Sequence, residues 1–294
     1  MAVDLHLHSV FSDGTATPEE IVATAAEIGL TGIALTDHDT LAGIPRASAA
    51  ADRTAIKFIA GTELSVEWRD QTMHLLVYFL DPGPGPLQDR LVELRAARDE
   101  RNLRIVSLLQ GLGLDISIEE VTTEAGFGVV GRPHFAGVMI EKGYVESVAE
   151  AFDRYLAAGR PAYAPRQKLT AEAAIRLARD SRAVPVIAHP HTIGLRAAEY
   201  ATGFRQLVSI GLGGIESYYG EYSPEMRNQI AGICDELGIV ATGVSDYHGR
   251  YKPHLEIGVG RGDRRVPDAD FDQHVSARQP CRQLGHDASQ NGVV

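Results

Sequence analysis

The chain has 294 residues, 44% of them hydrophobic, and carries 28 basic against 39 acidic side chains for a formal charge of −11. That length and apolar content support a large core, as one domain or a domain with an insertion, and exclude a disordered chain; the negative balance argues against long nucleic acid as the default partner unless a site reverses the sign locally. Cys234 and Cys281 form no spaced pair, the first strand begins at Val3 with no room for a signal peptide, and no apolar run reaches membrane-spanning length, so a soluble chain in a reducing cytoplasm is expected.

The first predicted strand contains "DLHLHS". Alternation places Asp4, His6 and His8 on one face and Val3, Leu5 and Leu7 on the other, so one face is apolar and the other suited to chelation. Asp13 and Gly14 follow it. In "TATPEEIVATAAEIGLTG", Thr17 as N-cap, Pro18 at the first helical position and Glu20 as the capping-box partner predict a helix ending near Gly29. "GIALTDHDT" reads as a buried strand ending in Asp37, His38 and Asp39, "AGIPRASAAADRTA" as a second helix, and "KFIAGTELSVEW" as a strand containing Glu63. His74 opens the segment "HLLVYF".

The rhythm breaks after "DPGPGP". Residues 87–164 hold apolar positions at helical spacing and a dense charged face but no convincing strand, and "GRPAYAP" closes them, which predicts a helical insertion. Beyond it, "AVPVIAHPHT" ends in His189, "GGIESYY" is strand-like, and "SPEMRNQIAGICDELG" is a helix capped by Ser223 with Cys234 buried in it. "GIVATGVSDYHG" ends in Asp246 and His248. The alternation predicts a parallel sheet or barrel formed by residues 1–86 and 165–270, followed by a C-terminal tail over 271–294 whose last stretch, "LGHDASQNGVV", is expected to be mobile.

Ligand-type side chains therefore collect at strand ends, where α/β folds bind their ligands. Each has a plainer reading. Asp13 suits a turn, Asp246 a helix cap, Glu63 an exposed strand, His74 a surface position, and "TDHD" a solvated loop. Seven such positions together point to metal, and the mix of imidazole and carboxylate suits zinc, manganese or iron, with room for more than one ion.

The ordered set "HLHS", "SDG", "TDHDT", "GTELS", "MHLL", "AHP" and "SDYH" resembles the PHP (polymerase and histidinol phosphatase) superfamily of metal-dependent phosphoesterases. Across residues 3–250 the insertion motifs "GRPHFAGVMIEKG", "VAEAFDRYL" and "GRPAYAP" extend the likeness to its nucleoside 3′,5′-bisphosphate phosphatases and 5′-to-3′ exoribonucleases. The resemblance implies an α/β fold, a distorted (β/α)7 barrel with a helical insertion, and three divalent metals per chain. It implies that His6, His8, Glu63 and Asp246 hold the first ion, Asp13, His38 and His248 the second, and His74 and His189 the third, with Glu63 bridging. It also implies that Arg132 and His134 reach the substrate phosphate; a structural salt bridge and a helix-capping histidine are their alternatives.

Where relatives show Gly-Arg after "AHP", this chain has His191 and Thr192, so a phosphate-binding arginine is missing or supplied by Arg160 or Lys168. The expected chemistry is in-line attack of an activated water on phosphorus, with Asp13 on the activating ion, Arg132 neutralising charge, and His248 or His191 as general acid. The expected substrate is a small nucleotide phosphate, with short 5′-phosphorylated oligonucleotides as a further class and no obligate protein partner. A histidinol-phosphate phosphatase, a polymerase proofreading module and a non-catalytic metal-binding regulator are the competing functions.

Overall fold

The computed structural model describes residues 3–259; the expected barrel residues beyond 259, the 271–294 tail and Cys281 lie outside the described residues. β1 (Val3–Leu7), α1 (Pro18–Glu27), β2 (Gly32–Leu35), α2 (Ile44–Ala51), β3 (Lys57–Trp68) and β4 (Gln71–Tyr78) come first. The insertion follows as α3 (Pro86–Gly111), α4 (Ile118–Ala125), α5 (Arg132–Glu141) and α6 (Val148–Ala151), the last running into a π-helical turn over Phe152–Leu156. The chain then resumes its alternation with β5 (Leu169–Thr170), α7 (Ala171–Asp180), β6 (Val184–Ala188), α8 (Tyr200–Ser209), β7 (Gly214–Tyr219), α9 (Pro224–Leu237) and β8 (Val240–Val244).

The strands pair in the order β1-β2-β3-β4-β6-β7-β8, with β5 on β3. The ring closes where the Asp246 N–H donates to the His6 carbonyl at 3.1 Å and the His8 N–H to the Tyr247 carbonyl at 3.1 Å. The result is a seven-strand distorted barrel with helices outside it, as the resemblance implied. One strand departs from the parallel expectation. β4 runs antiparallel to both β3 and β6, because only Arg69 and Asp70 separate it from β3, both with left-handed φ (50° and 61°); a two-residue connection can join only antiparallel strands.

The local signals for the helices hold in detail. Thr17 Oγ1 accepts the Glu20 N–H at 3.2 Å while Glu20 Oε2 accepts the Thr17 N–H at 2.7 Å, and Ser223 Oγ accepts the Met226 N–H at 3.3 Å. Among the described residues no strand lies between β4 and β5. α3 is shared by two cores. Leu87, Leu91 and Leu94 pack with the barrel strands, whereas Ile105, Val106 and Leu109 join a separate apolar cluster with Val121, Phe135 and Leu156. Cys234 is buried, with its Sγ 3.5 Å from Ser217 Oγ.

One carboxylate of the insertion bonds the segment that follows β8. Glu124 Oε1 of α4 accepts Arg250 Nη2 and the Tyr251 hydroxyl, each at 2.6 Å, from the segment after β8. Glu124→Ala should therefore lower stability by about 1–3 kcal/mol, the range for lost hydrogen bonds to a charged group, read as a lower urea midpoint in equilibrium unfolding.

Candidate active site

β1, β2, β6 and β8 are followed by or contain His6, His8, His38, His189, Asp246 and His248, β4 carries His74, and these side chains surround Glu63 in the middle of β3. Its Oε2 lies 3.2 Å from His6 Nε2, 3.1 Å from His8 Nε2 and 3.3 Å from His38 Nδ1. Its Oε1 lies 2.7 Å from His74 Nδ1 and 3.1 Å from His189 Nε2. Asp246 Oδ1 stands 3.6 Å from His6 Nε2 and 3.3 Å from His248 Nδ1. Asp13 Oδ1 is 3.6 Å from His8 Nδ1 and 3.5 Å from His248 Nε2, and its Oδ2 is 3.7 Å from His38 Nε2. All nine of the side chains expected as ligands are thus brought together.

Hydrogen bonding alone does not satisfy this cluster. His6 Nδ1 is 2.7 Å from the Glu216 carboxylate, which fixes the ring proton there; its Nε2 then turns a lone pair toward Glu63 and toward His8 Nε2 at 2.9 Å. Asp13 Oδ1, His38 Nδ1 and Asp246 Oδ1 are buried without any hydrogen-bond partner. These orphaned buried atoms stand 3.3–3.7 Å from their neighbours in the cluster, close to the spacing of about 3.3 Å between donors around a tetrahedral ion. The donor set therefore fits divalent metal. Three groups have atoms mutually within 4.8 Å: His8, Asp13, His38 and His248; His6, His8 and Glu63; and His38, Glu63 and His74. His8 and His38 each fall in two of these groups, a sharing the resemblance did not imply.

The electrostatics agree with that fit. Burial opposes ionisation of Glu63, but the surrounding imidazoles, His38 and His6 foremost, hold its carboxyl well below the usual range. Burial presses His38 down to about 4, so it is neutral and has a lone pair to offer, as a ligand must. Supporting groups fix the first layer. Glu216 Oε2 also accepts the His189 N–H at 2.5 Å, Asp37 accepts the Ser9 N–H and the Ser9 and Ser12 hydroxyls, each at 2.7 Å, and Asp246 Oδ2 accepts the Tyr219 hydroxyl at 2.9 Å and Lys252 Nζ at 2.5 Å. Asp37 is thus an organiser of the β1–α1 loop. Metal-ligating residues depend on such outer partners for orientation.

A cavity of about 430 Å³ opens beside the cluster, with Asp13, His38, His74 and His248 in its lining. Arg98, Arg101, Arg132, Arg166 and Lys168 also line it, together with Phe152, Tyr163 and Tyr251. A smaller recess of about 140 Å³ reaches Glu63, His189 and Asp246 and shares His38, His74, His248 and Lys252 with the larger one. Five cations in one lining reverse the sign of a chain whose net charge is −11. Asp39 offsets part of this charge: burial opposes its ionisation, but Arg98 and Arg166 carry its pKa down to about 2. Arg101 is the least satisfied member. Its Nη2 is buried without a partner, and burial with Arg98 and Arg132 nearby lowers its pKa to about 8, so an incoming anion would relieve it.

Several expected substrate contacts lie elsewhere. Arg132 is in the cavity wall, its Nη1 donating to the Leu156 carbonyl at 3.2 Å and its guanidinium 5.5 Å from the Tyr163 ring centre. His134 is not: it is 2% exposed, and its Nδ1 accepts the Gly131 N–H at 3.0 Å, the helix-capping alternative. Arg160 points outward to Asp153 at 2.6 Å, with its side chain 48% exposed, and Lys168 rather than Arg160 lines the cavity. His191 lines neither cavity; its Nδ1 faces the Tyr222 hydroxyl at 3.1 Å.

Arg98, Arg101, Arg166, Lys252 and Glu216 escaped the sequence reading. The two α3 arginines had a readable signal. Positions 87, 91, 94, 98, 101 and 105 form one buried stripe, and arginine occupies two places where leucine or isoleucine is expected.

Comparison with known proteins agrees with this geometry. A family model described as the PHP domain matches residues 4–160. The 3′,5′-nucleoside bisphosphate phosphatase of Chromobacterium violaceum is 30% identical over 257 residues, 87% of this chain and 90% of that protein. The 5′-3′ exoribonuclease Rnm of Salmonella typhimurium is 32% identical over 87% of each chain. Among solved structures, a proposed metal-dependent phosphoesterase of Bifidobacterium adolescentis superimposes with a TM-score of 0.84 at 28% identity, over 94% of this chain and 96% of the other.

Proposed function

Since the chain belongs to the PHP family, we propose that it is a metal-dependent phosphoesterase that hydrolyses nucleoside 3′,5′-bisphosphate to nucleoside monophosphate and inorganic phosphate. One observation carries the reading: a single cavity is lined both by members of the His/carboxylate cluster and by five cations with aromatic rings. A substrate with two phosphates and a base engages both sets of groups at once. An amino-alcohol phosphate such as histidinol phosphate would bring its ammonium against the arginine wall, which disfavours it. Short 5′-phosphorylated oligonucleotides are the second substrate class, on the strength of the exoribonuclease relative.

In this reading His6, His8, Glu63 and Asp246, then Asp13, His38 and His248, then His74, His189 and Glu63 would hold three divalent ions of manganese, zinc or iron. Bound metals would supply Lewis acidity and lower the pKa of water next to phosphorus. The chain's own residues do the rest. Lys252 presents a cationic N–H group where charge develops on the phosphoryl oxygens, Arg132 and the rest of the arginine wall orient the second phosphate, and Phe152 and Tyr163 cover the base. Of the two general-acid candidates, His248 borders both cavities and His191 neither.

Steady-state kinetics test the reading. kcat/KM should be higher for adenosine 3′,5′-bisphosphate than for AMP or histidinol phosphate, and Arg132→Ala should narrow the bisphosphate-to-AMP gap by roughly 1–3 kcal/mol, the size of a lost charged hydrogen bond. Histidinol phosphate as best substrate would end the nucleotide assignment, and equal slowing of every substrate would end the assigned role of Arg132.

A further inference from the structure

Asp39 is the point where the arginine wall meets the cluster around Glu63. Its buried carboxylate accepts Arg98 Nε at 3.1 Å and Nη2 at 2.5 Å from α3, and Arg166 Nη1 at 2.9 Å from the segment that leaves the insertion. Its carbonyl accepts Arg95 Nη1 at 3.0 Å. Its own N–H donates to the Glu63 carbonyl at 3.1 Å. One residue therefore ties guanidinium groups from two separate stretches of chain to the main chain of Glu63.

The backbone is adapted to this placement. Asp39 has φ of 54°, in the left-handed region, which turns the chain sharply after His38. All three side-chain bonds end on Oδ2, whereas Oδ1 is buried without a partner. A guanidinium carries five N–H groups, so Arg98 and Arg166 each retain donors for a ligand while Asp39 holds them in place. The main-chain bond to Glu63 holds residue 39 at a set distance from the cluster, and the carboxylate it carries holds the two guanidinium groups.

We propose that Asp39 is a positioning residue that fixes the span between the arginine wall and the metal cluster, and thereby sets the preference for substrates carrying two phosphates. The proposal rests on the reading of the cavity given above.

Asp39→Asn isolates the charge. Asparagine tolerates left-handed φ as aspartate does, and its amide oxygen can still take the Oδ2 position, but bonds to a neutral acceptor are about half as strong. With the variant, kcat/KM for adenosine 3′,5′-bisphosphate should fall about tenfold while that for AMP stays within about twofold, and metal content should match the parent. In an Arg98→Gln background the same change should alter the ratio less than it does in the parent, because only Arg166 then remains on the carboxylate and coupled residues are not additive. Asp39→Gly, which suits the same φ, serves if the asparagine variant does not fold.

Equal loss on both substrates, or loss of metal, would overturn the proposal by placing the effect at His38. An unchanged or larger ratio would overturn it too, since a carboxylate that merely competes with phosphate for the arginines would strengthen bisphosphate binding when neutralised. A parent protein without bisphosphate preference sinks the underlying reading along with this one; a parent preference that Asp39→Asn leaves intact sinks this one alone.

Discussion

Glu63→Gln should strip most of the bound transition metal from the purified protein and lower kcat by about 10³-fold, equivalent to several kcal/mol of transition-state stabilisation. Among the described residues no other side chain reaches as many ligand atoms: Oε2 faces His6, His8 and His38 at 3.1–3.3 Å, and Oε1 faces His74 and His189 at 2.7 and 3.1 Å. Glutamine has nearly the same shape, so the core around it survives. Its NH₂ group, however, is a donor where a lone pair is needed, and the negative charge that balances the ions is gone. Elemental analysis beside circular dichroism separates the two effects. The parent should hold more than one ion per chain, and the variant should keep its fold while losing metal. A variant with full metal content and parental kcat would remove Glu63 from the centre of the site.

How much of this was readable in advance depends on how local the governing physics is. The caps at Thr17 and Ser223, the strand-end clusters, and the helical character of residues 87–164 follow from spacings of a few residues, and the structure has them as expected. The reversal of β4 is not of that kind. It depends on a turn made by Arg69 and Asp70, neither of them the glycine that announces such a turn. The same limit governs side chains that were misassigned. Arg160 and Arg166 lie on one short stretch, yet one bonds Asp153 on the surface and the other Asp39 inside; the sequence shows two equivalent arginines, and only the fold distinguishes them.

His134 and Glu216 illustrate the converse error. The motif around His134 implied a ligand contact, but Gly131, three residues earlier, offers a free N–H that the ring accepts within the helix's first turn. Glu216 sits in an apolar strand and has no motif around it. Its role appears only when β7 is laid beside β6 and opposite β1, where one carboxylate holds both His6 and the main chain of His189. Chemistry that resides in the first layer of ligands is written in short motifs, whereas the groups that orient those ligands are set by strand order.

Asp13→Asn should reduce kcat by on the order of 100-fold or more while leaving the fold intact. The residue had two readings, turn chemistry before Gly14 or ligand, and the geometry contains both. Ser12 and Gly14 each donate a backbone N–H to the Ser9 carbonyl at 3.0 Å, and a Cβ on Gly14 would stand 2.1 Å from the His8 carbonyl oxygen, so glycine is what lets the chain fold back so tightly. That turn does not use the Asp13 carboxylate. Oδ1 is buried without a hydrogen-bond partner, and the carboxylate faces His8, His38 and His248 at 3.5–3.7 Å. Burial opposes its ionisation, yet His38 and His248 hold its pKa far below the usual carboxylate range, so it is charged at neutral pH. Asparagine leaves the turn's backbone bonds untouched and removes only the charge and one acceptor. A parental kcat with an unchanged metal-to-protein ratio would return Asp13 to the turn; a deep loss of kcat with an unchanged thermal midpoint would assign the carboxylate to the ion that activates water.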